Sequence, residues 1–159
     1  MNLLSVLRSL SYALAAITTV CYFYQIVYLI LHLLKKQRPL ESKERRRYAI
    51  LIAARNEEAV LPHLLESIRR QDYPAELIST FVVADNCTDR TAEIAEQGGA
   101  RVFRRFSKTQ IGKGYALNFL LNRIDVTEGL DRFDAFLIFD ADNLLMPDYV
   151  SQMNKVCCN

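Results

Sequence analysis

Two carboxylates flank a single residue in Asp140-Ala141-Asp142, directly behind the apolar run Ala135-Phe136-Leu137-Ile138-Phe139. Oxygens so spaced can hold a hard divalent cation against a diphosphate. Asp-x-Asp arises often by chance in surface loops, so its position carries the signal. A five-residue apolar run reads as a buried strand, and ligands of open α/β sheets gather at the carboxyl ends of strands. Other polar groups stand where further strands would end or helices begin: Arg55 and Glu57, Asp85, and Lys113. On a parallel sheet these converge on one edge. Asp85 can accept from a nucleobase imide or a ribose hydroxyl, or simply cap the next helix. Lys113 can neutralise a phosphate or stand in solvent. The segment from Arg101 to Lys113 holds five cations and no acid, which suits an anionic ligand or an exposed face.

The elements that must position these groups follow from hydrophobic periodicity. Tyr48-Ala49-Ile50-Leu51-Ile52-Ala53-Ala54 is continuously apolar, the pattern of a strand buried on both faces. Arg55-Asn56-Glu57-Glu58 breaks it, and a helix follows with Val60, Leu61, Leu64, Leu65 and Ile68 on one face. Pro62 restricts that helix to starting nearby. Residues 78–84 form a second strand, and Asp85-Asn86-Cys87-Thr88-Asp89 supplies turn and capping chemistry for a helix over 90–97. Gly98-Gly99 closes that helix. Residues 101–106 give a third, weaker strand. A helix starts at Gly112 and carries Ala116, Leu117, Leu120 and Leu121. The fourth strand spans 133–139, and Pro147 suits the first turn of a last helix. This alternation predicts an α/β domain with a mostly parallel sheet and helices on both faces.

The amino-terminal end is of a different kind. From Ser9 to Leu34 there is no Asp, Glu, Lys or Arg. As a helix this stretch spans about 39 Å, more than the ~30 Å hydrocarbon core of a bilayer. A signal peptide would have a shorter apolar core, so residues 9–34 read as one transmembrane helix after an eight-residue segment. The linker 35–47 holds Lys35, Lys36, Arg38, Lys43, Arg45, Arg46 and Arg47 against Glu41 and Glu44, whereas only Arg8 precedes the span. The positive-inside rule then places residues 48–159 in the cytosol, at the cell membrane, with the basic linker able to touch anionic lipid.

Several classes are excluded. A net charge of +2 in 159 residues argues for no nucleic-acid partner. Cys21, Cys87, Cys157 and Cys158 show neither disulfide nor zinc spacing. No Gly-x-Gly-x-x-Gly follows the first strand, which removes a dinucleotide fold. Gly112-Lys113-Gly114 fails as a P-loop, because Ser107 stands where its first glycine belongs and Gly114 where a magnesium-binding hydroxyl belongs. An Asp-nucleophile phosphatase or phosphotransferase is disfavoured, since Leu144 occupies the place of its Thr or Val.

Four motifs together resemble those of family-two glycosyltransferases. They are Ala53-Ala54-Arg55-Asn56-Glu57-Glu58, Ala84-Asp85-Asn86-Cys87-Thr88-Asp89, Gly112-Lys113-Gly114-Tyr115-Ala116-Leu117-Asn118 and Phe139-Asp140-Ala141-Asp142. The similarity is greatest to membrane-bound, processive-type polysaccharide synthases and covers about residues 48–154. It implies a GT-A-like fold, a nucleotide-diphosphate sugar donor such as a UDP-sugar, Mg²⁺ or Mn²⁺, and inverting transfer in polysaccharide or glycolipid synthesis. It further implies that Ala53, Arg55, Glu57 and Asp85 hold the nucleoside. Lys113 would lie near the phosphates or sugar, Asp140 would serve the sugar-diphosphate and the metal, and Asp142 would be the more direct metal ligand.

Two features depart from that pattern. The family's first motif often begins with Pro where Ala53 stands. Its base and acceptor motifs, including a Gln-x-x-Arg-Trp-like sequence, lie well beyond the Asp-x-Asp, and no Trp occurs here. Asp131, Asp134 and Asp148 are the remaining nearby carboxylates. The expectation is a donor-binding half with its general base beyond Asn159, unable to transfer sugar unaided. The alternative is a non-catalytic, membrane-tethered nucleotide-binding module.

Overall fold

The computed structural model describes residues 3–34 and 44–157. Residues 1–2, residues 35–43 with most of the basic linker, and residues 158–159 lie outside the described residues. The chain forms two compact units. The first is helix α1, Leu3–Leu34, 32 residues with no Pro or Gly to break it. It begins six residues before the apolar stretch read from the sequence, where Leu3, Leu4 and Leu7 are good helix formers. Residues 4–34 have a mean hydropathy of 1.9 and are long and apolar enough to cross a membrane. Its hydroxyls turn back onto its own carbonyls: Ser9 Oγ donates to Ser5 O at 3.0 Å and Thr19 Oγ1 to Ala15 O at 2.8 Å. That pairing lets polar side chains sit in an apolar surround.

The second unit is a four-stranded sheet in the order β3-β2-β1-β4, with every described pairing parallel. Its elements are β1 (Tyr48–Ala54), α2 (Leu61–Arg69), β2 (Ile78–Asp85), α3 (Thr91–Gln97), β3 (Arg101–Arg105), α4 (Lys113–Glu128), β4 (Ala135–Asp140) and α5 (Tyr149–Cys157). Side chains alternate across a strand, and the sheet uses both faces. Tyr48, Ile50, Ile52, Val82 and Leu137 pack toward α2, α3 and α5. Ala49, Leu51, Phe81 and Val83 pack toward Ala116, Leu120 and Ile124 of α4. Full burial of each large aliphatic side chain contributes roughly 1.5–3 kcal/mol.

Boundaries shift where local chemistry decides them. β2 runs one residue further, to Asp85, because that residue still pairs with Arg105 of β3. α4 continues to Glu128 and stops at Gly129, whose φ of +81° ends the helix. β4 begins at Ala135, since Phe133 instead stacks edge-to-face with Phe81 and Phe136. Pro147 stands just outside α5, where its carbonyl accepts from the amide of Asp72. α3 ends as its sequence requires: Gly99 takes φ +83°, and the amides of Gly98, Gly99 and Ala100 return to Ile94, Glu96 and Ala95.

Among the described residues β4 pairs with β1 alone, and Ile138, on its α4-facing side, is 52% exposed. An open apolar strand edge promotes self-association. Ile138→Thr is therefore expected to reduce concentration-dependent oligomers of the detergent-solubilised chain, measured by analytical ultracentrifugation.

Candidate functional site

Strand register explains how distant residues meet. Ala53 is the partner of Asp140 across β1–β4, and Asp85 is the partner of Arg105 across β2–β3. Ala53, Asp85, Arg105 and Asp140 share the strand parity that faces α4, at the carboxyl ends of their strands. The amino end of α4 starts at Lys113 on the same edge. Ala53, Ala54, Arg55, Asp85, Gly112, Lys113 and Ala116 line one cavity of about 120 Å³. Lys113 Nζ forms an ion pair with Asp140. The structure thus gathers Ala53, Arg55, Asp85 and Lys113 around one opening and ties Asp140 to it. Glu57 does not line that cavity; its amide donates to Thr91 Oγ1 at 2.8 Å and its carbonyl accepts from Val60 and Leu61.

The turn after β4 presents its two carboxylates outward. Ala141 between them is 4% exposed and packs in the core. Alternation along the chain then leaves Asp140 and Asp142 exposed. Asn143 locks the turn: its Oδ1 accepts from the Asp140 amide at 3.0 Å and its own amide donates to Asp140 O at 3.1 Å. Asn143 escaped the sequence reading, although an Asn closing a turn on an Asp three residues earlier is ordinary turn chemistry. Among the described residues no cluster of three or more His, Cys, Asp or Glu forms a ready-made metal cage. Two hard carboxylates remain, the donor type that Mg²⁺ and Mn²⁺ take, with the rest of a shell left to other oxygens.

α4 begins without a side-chain cap at Gly112, whose φ is +127° and ψ +157°. An uncapped amino terminus of a 16-residue helix offers free N–H groups and a positive dipole end to an anion. Space beside Gly112 is open, so a Cβ would strain the backbone without clashing. Gly112→Ala is expected to cost about 1–3 kcal/mol by that strain and to weaken binding of a diphosphate ligand, read by calorimetry beside a thermal melt.

The loops after β1, β2 and β3 are laced together. Asn56 and Asn86 take positive φ, 56° and 54°, which Asn tolerates better than most residues. Asn56 Oδ1 accepts from the Thr88 amide at 2.8 Å, and Asn86 Oδ1 accepts from the Ser107 amide at 2.9 Å. Asp89, read from sequence as turn and cap chemistry, accepts from the Thr91 amide and hydroxyl and from the Glu58 amide. Desolvation pushes its carboxyl up, but these bonds outweigh it and hold the group below its ordinary value. A depressed carboxyl stabilises the fold above its unfolded value near 3.9, and that contribution disappears as pH falls through the lower folded value. The thermal midpoint of the wild type is expected to fall more steeply below about pH 4 than that of Asp89→Asn, followed by circular dichroism. Cys87 Sγ donates to Ala54 O at 3.4 Å. Burial raises its thiol, which makes it a packing group rather than a nucleophile.

The five cations of residues 101–113 are largely engaged within the chain. Arg101 pairs with Glu128, Arg104 with Glu93 and Glu96, Arg105 with Asp85, and Lys113 with Asp140. The segment is therefore no bare anion-binding surface. Asp134 and Asp148 serve structure: Asp134 Oδ2 accepts from the Arg47 amide at 2.7 Å, and Asp148 Oδ2 accepts from Gln152. A larger cavity of about 540 Å³ lies beside the amino ends of the strands, lined by residues including Arg45, Tyr73 and Asn154. Size alone would favour it, but most of its polar lining is tied into structural hydrogen bonds, and no motif residue reaches it.

The model of the family "Glycosyltransferase like family 2" matches residues 45–158. The chain belongs to that family. Among curated relatives it is 39% identical over 89 residues to the 4,4'-diaponeurosporenoate glycosyltransferase of Staphylococcus haemolyticus, covering 54% of this chain and 23% of that protein. It is 35% identical over 105 residues to the beta-monoglucosyldiacylglycerol synthase of a Nostoc species, covering 63% of this chain and 21% of that protein. Our chain thus spans between a fifth and a quarter of the length of these relatives. The mannosyltransferase PcManGT of Pyrobaculum calidifontis, solved with GDP-Man and Mn²⁺, superposes with a TM-score of 0.62 at 23% identity, over 91% of this chain and 42% of that one. That likeness shows a GT-A-like fold, here a parallel sheet with helices on both faces.

Proposed function

We propose that this chain binds a nucleoside-diphosphate sugar, a UDP-sugar by the chemistry of Asp85, as the donor site of a membrane-anchored, inverting glycosyltransferase. The observation that carries the proposal is the single cavity at the strand ends that joins Ala53, Arg55, Asp85, Gly112 and Lys113, with Asp140 paired to Lys113. Its roughly 120 Å³ takes a base or one phosphate, so the rest of the donor extends over the exposed edge at Asp140 and Asp142.

Each residue then has a task. Ala53 and Arg55 border the nucleoside and Asp85 accepts from its base. Glu57 supports that loop through its backbone. Lys113 and the open amino end of α4 neutralise phosphate charge. Asp142, with Asp140, would hold Mg²⁺ or Mn²⁺. Such a cation supplies Lewis-acid stabilisation of the departing diphosphate. Lys113 bonds Asp140 in the structure and would exchange that partner for a phosphate oxygen when the donor enters. No carboxylate among the described residues is assigned as the base that deprotonates the acceptor hydroxyl.

The acceptor is a lipid or a polysaccharide, and the names of the two relatives favour a lipid. α1 would anchor the domain in the cell membrane, with the sheet on the cytosolic side where sugar nucleotides are made, as the basic flank predicts.

The test uses the full chain in nanodiscs. UDP with Mn²⁺ is expected to raise its thermal midpoint, equivalent to about 2.7 kcal/mol at a hundredfold excess over Kd. Neither UDP nor the cation alone is expected to match this. Absence of any shift would overturn the reading. Hydrolysis or transfer of a UDP-sugar then separates an enzyme from a module that only binds.

A further inference from the structure

Among the described residues Arg105 is the one buried cation at the site, and no motif contains it. It is 6% exposed, and Asp85 is 5% exposed. Arg105 Nη1 donates to Asp85 Oδ1 at 2.5 Å. Asn86 Nδ2 reaches the same oxygen at 3.3 Å. The other guanidinium nitrogen, Nη2, donates to the carbonyl of Gln110 at 2.8 Å and approaches its Oε1 at 3.4 Å. The guanidinium also lies 6.0 Å from the ring centroid of Phe119 on α4. A rigid, planar fork therefore joins the end of β2, the loop leading to Gly112 and Lys113, and α4.

The pattern on Asp85 is lopsided. Both contacts fall on Oδ1, and Oδ2 has no protein partner among the described residues. No fully buried side-chain oxygen or nitrogen among them lacks a partner, so Oδ2 must reach solvent. Asp85 also lines the cavity beside Gly112 and Lys113. A carboxylate facing a guanidinium is an acceptor only. Its free oxygen can take an N–H from a base and is repelled by a ring-nitrogen lone pair. Uracil offers an N–H at N3; cytosine has a lone pair at the same place.

We propose that Arg105 is the positioning residue for base selection: it clamps one oxygen of Asp85 so that the other faces the cavity as a fixed acceptor, and it ties that acceptor to the loop carrying Lys113. The proposal rests on the donor-site reading above and goes beyond it, because it assigns selectivity to a residue that does not line the cavity and acts through Asp85.

The experiment compares UDP and CDP binding, each with Mn²⁺, to the full chain in nanodiscs by calorimetry, for wild type and Arg105→Lys. Lysine keeps the charge but cannot bond Asp85 and Gln110 at once in a fork. The wild type is expected to prefer UDP by at least about tenfold. Arg105→Lys is expected to reduce that preference by about tenfold while its thermal melt stays cooperative. A merely structural arginine would weaken both nucleotides in parallel, and an unchanged UDP-to-CDP ratio in the folded variant would overturn the proposal while leaving donor binding intact. Binding of neither nucleotide by the wild type would overturn the donor-site reading itself, and the proposal with it. Should the lysine variant not fold, the wild type still decides by ¹⁵N NMR of the guanidinium groups. A slowly exchanging Arg105 Nη–H signal is expected to persist in the UDP–Mn²⁺ complex, and its loss on binding counts against the clamp.

Discussion

Asp142→Ala is expected to remove the cation-dependent part of UDP binding, weakening it at least about a hundredfold, or ~2.7 kcal/mol. Of the two carboxylates at the turn, only Asp140 is paired to a cationic side chain among the described residues, Lys113. Asp142 receives just a long contact from Asn143 Nδ2 at 3.5 Å. A divalent ion arriving with a diphosphate can therefore take Asp142 without displacing an ammonium. Removing this ligand leaves one carboxylate, and that one is contested by Lys113. Asp140→Ala should behave differently: it loses a cation ligand and also releases Lys113 to the phosphates. Part of the binding then survives in EDTA. Calorimetry with UDP, in Mn²⁺ and in EDTA, distinguishes the two variants. If Asp142→Ala binds UDP as tightly as the wild type in Mn²⁺, the cation is not held at this turn.

The residues gathered at the strand ends were legible because each directly follows a periodic apolar run or starts a helix. Such a residue is placed by the element it adjoins, whatever the rest of the chain does. Asp140 closes β4 and Asp85 closes β2, so their convergence needed only a parallel sheet. Arg105 was not legible as a partner of Asp85. It stood among Arg101, Arg104, Lys108 and Lys113, and no local pattern tells which arginine turns inward. That choice depends on strand register, which pairs Asp85 with Arg105 across 20 residues of sequence. Glu57 illustrates the converse. Its place in a motif suggested a side-chain task, whereas the structure uses its backbone: the carbonyl starts α2 and the amide donates to Thr91 Oγ1. Helix ends followed glycines closely, and Pro147 misled by two residues because a tertiary contact with Asp72 claims its carbonyl.

Asn154→Leu is expected to destabilise the sheet domain by about 2–4 kcal/mol, an effect comparable to truncating a core leucine. Asn154 is 4% exposed on α5 and bonds groups far away in sequence. Its Oδ1 accepts from the Arg46 amide at 3.2 Å, from Tyr48 Oη at 3.2 Å and from Tyr73 Oη at 3.1 Å, while its Nδ2 donates to Glu44 O at 2.8 Å. Leucine has the same branching of side-chain heavy atoms and is no smaller, so the cost comes from the lost hydrogen bonds rather than a cavity. Tyr48 is fully buried, and its hydroxyl would lose this bond. Tyr73 suffers less, because its single hydroxyl proton is shared with the nearer Arg46 O at 2.8 Å, which keeps it when Asn154 is gone. The same bonds fasten residues 44–46, the start of the sheet domain, to its last described helix. The loss should therefore appear as a thermal midpoint lowered by roughly 10 °C and as faster proteolysis at the basic linker. A midpoint within about 2 °C of the wild type would show that residues 44–46 are held by other contacts.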